Sequence, residues 1–518
     1  MEEILKNYVS NANSNIFVLR NLPEVVKGAL FSRYSRSSLG LRELLLKEFI
    51  NDKDLELKKE YANVKRAKDF YDRILDGYGD DSIAELGGAH LAMENISMIA
   101  AKVIEDCRIG GSPLEKSTRY IYFDKKIDGE YLFYKELVLM TSAYRNIYLD
   151  TCNLLFDTYS RLISPLTELI RKKFPKEYDV SKEAYASALK AKVLDCLRGI
   201  LPASTYTNMG IFGNGRFFDY LIRKLNSSNL TEIQDIGKKA FLELSKEIPS
   251  FIRRADPSSK YFKSYYLYVE QMRQSLKMLY KADIRLDDFL SKPKVSLIDY
   301  DVNSVYKIAA ALLFENSDKS FKELEEYCKT LPKKELEKIL EVASIFRKNR
   351  RDKSPRALEL SYFIFEIIAD FGVYRDLQRH RILTQERQFL TCNYGYFIPE
   401  EIKNTKMEKD YRYAMEKAKE AYDLMSEEFP EEAQYVVPFA YNMRWFFSLN
   451  LRELQWFCEL RSSPAGHPTY RFIAQDMAKI VSSKIPEFKR FFNFVDYDGY
   501  KLGRMKQEVK RVKKKIDV

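Results

Sequence analysis

The chain has 518 residues, 46% of them hydrophobic, which is too long for one ordinary domain and ample for a large core. Its formal charge of +11, from 86 basic against 75 acidic residues, suits anionic small molecules, nucleic acid or an acidic surface, and selects none of them. Six scattered cysteines, without a CxxC pair or a histidine at ligand spacing, argue against a zinc site and a disulfide framework and fit a reducing cytoplasm. No apolar run is long enough to span a bilayer, and "MEEILKNYVSNANSNIF" lacks the basic start and apolar stretch of a targeting segment, so the expectation is a cytoplasmic protein without a membrane partner.

Taken in chain order, "PEVVKGALFSRYSRS" (23–37) reads as an amphipathic helix that runs into a Ser/Arg mixture containing Arg33 and Ser35. That mixture lacks the glycine spacing of a P-loop, and neither a P-loop nor a Rossmann fingerprint occurs elsewhere. "SPLEKSTRYIYFD" (112–124) sets Ser117, Arg119 and Tyr120 before an alternating apolar tail. Serine and arginine together are suited to holding phosphate, each charged hydrogen bond contributing roughly 1.5–3 kcal/mol. Next comes "LRGILPASTYTNMGIFGNGRFFDYLIRKL" (197–225), with Arg198, Asn214 and Arg216.

Proline and serine punctuate "IPSFIRRADPSSKYF", and a helical pattern follows over 265–286. "NSVYKIAAALLFENS" (303–317) echoes the segment at 23–37. A helical pair broken at Pro332 is expected over 321–348, and a buried strand over "SYFIFEII", 361–368. After "DFG", Val373 and Leu377 make a short amphipathic helix, with Arg379, His380 and Arg381 at or just past its end. These three either cap the helix and favour its dipole, or meet a ligand.

"AQYVVPFAYNMRWFFSLNLRELQWFCELR" (433–461) matches 197–225: in each, a proline (Pro202, Pro438) is followed twelve residues later by Asn-x-Arg (Asn214 and Arg216; Asn450 and Arg452). On a helix starting near Asn450, Leu454, Phe457 and Arg461 share a face. Arg461 on that apolar face needs a partner, either an anion or an internal carboxylate such as Glu453 or Glu459. The basic tail "GRMKQEVKRVKKKIDV" reads as a solvated helix end, so nucleic acid is not the expected partner. The paired segments imply a duplication: a first unit over 1–245, a helical linker over 246–292 and a second unit over 293–518. The expected fold class is α+β with a helical majority.

Together these stretches resemble the flavin-dependent thymidylate synthases, through "RHR" at 379–381, "STRYI", "FSRYS" and both proline/Asn-x-Arg segments. The resemblance implies two tandem units, each a small mostly antiparallel sheet with many helices. It implies FAD as cofactor, NADPH and methylenetetrahydrofolate as co-substrates, and reductive methylation of dUMP to dTMP. It further implies that a homodimer of this chain stands in for the family's tetramer. Carried over by motif, Arg379, His380, Arg381, Asn450, Arg452, Arg33 and Ser35 would serve the flavin. Ser117, Arg119, Tyr120, Arg198, Asn214, Arg216, Glu386 and Arg461 would serve the nucleotide.

The chain departs from the family pattern at several points. Phe389 stands at the motif serine and Glu386 sits one residue early; Gln434 replaces an arginine, "DCR" (106–108) replaces the first unit's Arg-His-Arg, and Leu225 its final arginine. The family's flavin-contacting histidine has no counterpart in 350–359 or 78–86. The surviving residues are complementary between units, which suggests one composite pocket. The alternatives are a non-catalytic nucleotide- or flavin-binding paralogue, or a flavoenzyme acting on another pyrimidine.

Overall fold

The computed structural model describes residues 2–35, 37–50, 81–280 and 293–516; residues 281–292 of the expected linker and 78–80 of the quoted histidine region lie outside them. The protein is a mostly helical α+β structure with small antiparallel sheets. Among the described residues the strands are β1 (Gly88–Ser97), β2 (Gly111–Glu115), β3 (Lys126–Ile127), β4 (Glu130–Tyr131), β5 (Tyr206–Asn214), β6 (Lys294–Tyr300), β7 (Phe363–Asp370), β8 (Thr384–Arg387) and β9 (Asn442–Leu449). The helices used below are α1 (Met98–Glu105), α2 (Lys182–Leu197), α3 (Gly215–Asn226), α4 (Phe371–Leu377), α5 (Leu451–Arg461), α6 (Pro468–Lys484) and α7 (Met505–Ile516). The helical pair expected around Pro332 is present as Phe321–Thr330 and Lys333–Ile345.

Two compact units interleave along the chain: Met1–Lys116 with Tyr206–Ile284, and Ser117–Thr205 with Arg285–Val518. In the first, the sheet order is β1-β5-β2, with β5 antiparallel to both neighbours. Along β5, Thr207, Met209, Ile211 and Gly213 are buried in strict alternation, as a strand with one packed face requires. β1 runs into α1, whose first turn is capped by Ser97 Oγ accepting from the Ala100 amide. β5 runs into α3, capped by Asn214 Oδ1 accepting from the Phe217 amide.

In the second unit the order is β6-β7-β9-β8. β7 is buried along most of its length, which is why it reads as a near-continuous apolar run. The central strand β9 pairs antiparallel with β7 and β8, as β5 does with β1 and β2. β7 leads into α4, capped by Asp370 Oδ1, and β9 leads into α5, capped by Asn450 Oδ1. The repeated Asn-x-Arg is therefore the same local device twice: a central strand ends and its asparagine caps the next helix.

Residues 199–205 run antiparallel to 435–440 in this unit, and Pro202 bridges Pro438. Ala203 N donates to Val437 O and Phe439 N to Leu201 O, both at 2.9 Å; Ser204 N donates to Tyr435 O and Ala440 N to Gly199 O. Each bond has a mate on the opposite segment, so the ribbon is locally two-fold symmetric about the two prolines that the sequence aligns. Two expectations differ. The alternating apolar tail after Ser117 forms turns, the strand before it ending at Glu115. The helix after β7 begins at Phe371, inside "DFG", because Asp370 caps it.

Candidate active site

Helix α4 is short and its C-cap is Gln378, so Arg379, His380 and Arg381 leave the helix end in different directions. His380 is buried at 5% exposure, while Arg379 and Arg381 are exposed. The imidazole packs on Phe457 with ring centroids 4.6 Å apart. Its Nδ1 lies 2.9 Å from Glu453 Oε1, and its Nε2 lies 2.9 Å from Arg461 Nε. Glu453, Phe457 and Arg461 recur every four residues along α5, so one stripe of that helix holds the ring on three sides.

An arginine Nε–H can only donate, so Nε2 must carry a lone pair and Nδ1 the hydrogen. His380 is therefore neutral, with Nδ1–H donating to Glu453. Burial, reinforced by the Arg461 charge and opposed by Glu453, pushes its pKa down to about 4.

A second cluster adjoins it in the same unit. Arg198, buried after α2, donates to Asp376 Oδ2 at 3.0 Å and to Gly372 O at 3.1 Å. Burial alone would raise the Asp376 carboxyl, but Arg198, Arg119, Arg379 and Arg461 outweigh it and hold the group well below the usual carboxylate range. Arg119 grips Asp195 with both arms, Nη2 to Oδ2 at 2.6 Å, and reaches Tyr470 Oη at 3.2 Å. Burial of Asp195 is likewise outweighed, chiefly by Arg119. The guanidinium carbons of Arg119 and Arg461 each lie 5.8 Å from the Tyr470 ring centroid. His467 caps α6 by accepting from Thr469 N at 3.3 Å; burial, then Arg198, lowers its pKa to about 3.

Asp370, also buried, uses Oδ1 for its cap while Oδ2 has no hydrogen bond among the described residues. Burial raises its pKa to about 7 although Arg198 opposes the shift.

The structure thus brings together Arg119, Arg198, Arg379, His380 and Arg461. Ser117 Oγ accepts from the Arg119 amide at 3.2 Å, and Tyr120 is exposed beneath Arg504. Asn450 is the α5 cap; Arg452 donates to Ser354 O and Glu359 on another side of that helix. Glu386 is exposed on β8, opposite Phe446. Arg33, Ser35, Asn214 and Arg216 belong to the other compact unit. There Arg33 pairs with Glu48, Ser35 Oγ donates to Ser32 O, and Arg216 pairs with Glu85.

Sequence reasoning missed Asp195, Asp376 and Tyr470, which carry no motif of their own. Glu453, an expected partner for Arg461, joins it instead through His380. Asp376, three residues before Arg379, was the legible signal of an internal counter-charge.

The profile of the family described as thymidylate synthase complementing protein, Thy1, matches residues 34–250 and 296–487. The chain belongs to this family, the flavin-dependent thymidylate synthases. The Thy1 match falls in two segments, each containing one of the proline/Asn-x-Arg stretches. Similar full-length relatives are UPF0159 proteins. That of Chlamydia pneumoniae is 52% identical, covering 98% of this chain and 97% of its own. That of Chlamydia muridarum is 53% identical with the same coverage, and that of Thermoplasma acidophilum 36% identical over 94% and 98%. A solved structure of a UMP/dUMP methylase PolB from Streptomyces cacaoi, bound with 5-Br dUMP, is 16% identical with a TM-score of 0.33, covering 40% of this chain and 98% of its own. Among the described residues of this Thy1 protein no helix is long and apolar enough to cross a membrane.

Proposed function

We propose that the protein is a cytoplasmic FAD-dependent thymidylate synthase that reductively methylates dUMP to dTMP, with methylenetetrahydrofolate as carbon donor and NADPH as reductant. The observation that carries the reading is the split Arg-His-Arg: two exposed arginines flank a histidine locked between Glu453 and Arg461. Exposed guanidinium groups suit the pyrophosphate of a dinucleotide. His380 fits an orienting role, since its ring is buried behind them and both its nitrogens are engaged. Bound and reduced, the flavin would supply the hydride that a nucleophile-free site does not. Arg379 and Arg381 would hold it, and Arg461 and Arg119 would keep the adjoining interior positive.

In this reading the chain is a tandem duplication whose two copies retain complementary residues, and two chains form a homodimer in place of the family's tetramer. The matched sheet orders, the matched asparagine caps and the symmetric ribbon at Pro202 and Pro438 support the duplication.

One observation favours a second reading, a non-catalytic nucleotide- or flavin-binding paralogue. Arg119 and Arg198, which by motif would meet the substrate, already have Asp195 and Asp376 as partners. Two measurements separate the readings. The absorption spectrum of the purified protein reports bound flavin. Tritium release from the uracil C5 of dUMP, with methylenetetrahydrofolate and NADPH present, reports turnover. Flavin bands without tritium release select the paralogue, and a colourless protein that takes up no added FAD removes the flavin from both readings.

A further inference from the structure

Arg504 lies outside the segments matched by the family profile, in the residue just before α7. Its side chain is buried at 7% exposure and its guanidinium carbon sits 4.3 Å from the centroid of the Tyr120 ring. Yet Nε and Nη1 donate to nothing among the described residues. Neighbouring cations do not share this condition. Arg119 occupies both oxygens of Asp195, Lys192 pairs with Glu401 at 2.6 Å, and Arg471 pairs with Asp496 at 3.0 Å. The nearby carboxylate that attracts Arg504, Asp195, is therefore already engaged. Burial and the Arg119 charge both act against the Arg504 cation, which as a guanidinium nevertheless stays protonated. A buried guanidinium whose N–H groups lack acceptors is costly, and an anion in contact with it would remove that cost.

Arg504 lines a cavity of about 30 Å³, together with Lys192, Asp195, Gly466, Pro468 and Lys501, the last exposed. Close backbone approaches shape it. A Cβ on Gly503 would lie 2.1 Å from Pro464 O, and one on Gly466 would lie 2.6 Å from the Tyr470 ring. Pro468 opens α6, of 17 residues, and Arg504 precedes α7, of 12 residues, so two helix N-termini stand at the cavity wall. Their dipoles add positive potential there, although Thr469 N, Met505 N and Gln507 N already have acceptors.

We propose that this cleft binds a phosphate group, with Arg504 as its principal ligand and Lys501 at its rim. The assignment does not depend on the flavin reading.

The test uses the full chain and inorganic phosphate, with sodium chloride at matched ionic strength as control. Wild-type protein should melt at a higher temperature in phosphate than in chloride. Arg504→Met should melt no lower than wild type in chloride, since it removes an uncompensated charge, and should bind phosphate at least about ten-fold more weakly by calorimetry. Arg504→Lys keeps the charge but loses the planar fork, and should also bind about ten-fold more weakly. It serves if the methionine variant does not accumulate. Displacement of phosphate by dUMP but not deoxyuridine identifies a nucleotide phosphate as the ligand, while displacement by neither identifies the free oxyanion. Equal stabilisation of wild type and Arg504→Met, no stabilisation of wild type beyond chloride, or undiminished binding by Arg504→Lys overturns the assignment.

Discussion

Pro202 and Pro438, aligned by the sequence repeat, face each other as bridge partners in the folded chain. The flanking hydrogen bonds obey the same pairing, so each segment donates what it accepts. A self-complementary contact of this kind has the pattern of a two-fold interface. Ala203→Pro removes the donor to Val437 O, and Ala440→Pro removes the donor to Gly199 O. Each variant should lose roughly 1–3 kcal/mol of stability. Urea unfolding midpoints measure this, and a neutral effect in either would show that the ribbon contributes nothing to stability.

Both buried histidines stay neutral in the folded protein. An ordinary histidine takes up a proton near pH 6.5, whereas His380 resists until about pH 4 and His467 until about pH 3. Below pH 6.5 the unfolded chain therefore binds more protons, and stability declines as pH falls. The loss begins near pH 6.5 and saturates below pH 4 and pH 3 respectively, each group contributing up to about 1.4 kcal/mol per pH unit. Melting temperatures of His380→Gln should show a shallower slope between pH 6.5 and 4 than wild type. An unchanged slope would mean that His380 is not held neutral.

Asp370 has the opposite sign. Its carboxyl, raised by burial to about 7, binds a proton more readily in the folded state than when unfolded. Its contribution is complete below the unfolded pKa of about 3.9 and is lost as pH rises through 7. Asp370→Asn keeps an N-cap oxygen and removes the charge. The variant should match wild type near pH 4 and melt higher at pH 8; equal or lower melting at pH 8 would mean that the carboxyl is not raised.

Arg119 and Asp195 share almost no solvent. Arg119→Met alone should destabilise by about 3–5 kcal/mol, because Asp195 is left buried and unpaired, while the double variant with Asp195→Asn should recover much of that loss. Denaturant midpoints across the four members of the cycle give the coupling. If the pair serves a ligand instead, the single variant will fold normally and lose dUMP binding.

Asn214 and Asn450 each cap a helix. Replacement of either by alanine should cost about 1 kcal/mol, and by serine much less. Flavin content separates the cap from a cofactor role: an Asn450→Ser protein of normal stability that has lost its flavin would assign Asn450 to the cofactor as well.

Legible in the sequence alone were the two matching proline/Asn-x-Arg segments, the helical majority, a buried strand read at 361–368 and found at 363–370, the break at Pro332 and the helix that ends before Arg379. These are local matters, set by side-chain period, proline geometry and the spacing of cap residues along one stretch of backbone. Only the tertiary structure decided which way the motif residues turn and what they meet. It set His380 inward and its two arginines outward, and it gave Arg119 and Arg198 the carboxylates of Asp195 and Asp376. It also packed residues 117–205 with the second half of the chain. A charge is neutralised by whatever lies within a few ångströms, and neighbours such as Arg119 and Tyr470, 351 positions apart in the chain, leave no periodic trace in it.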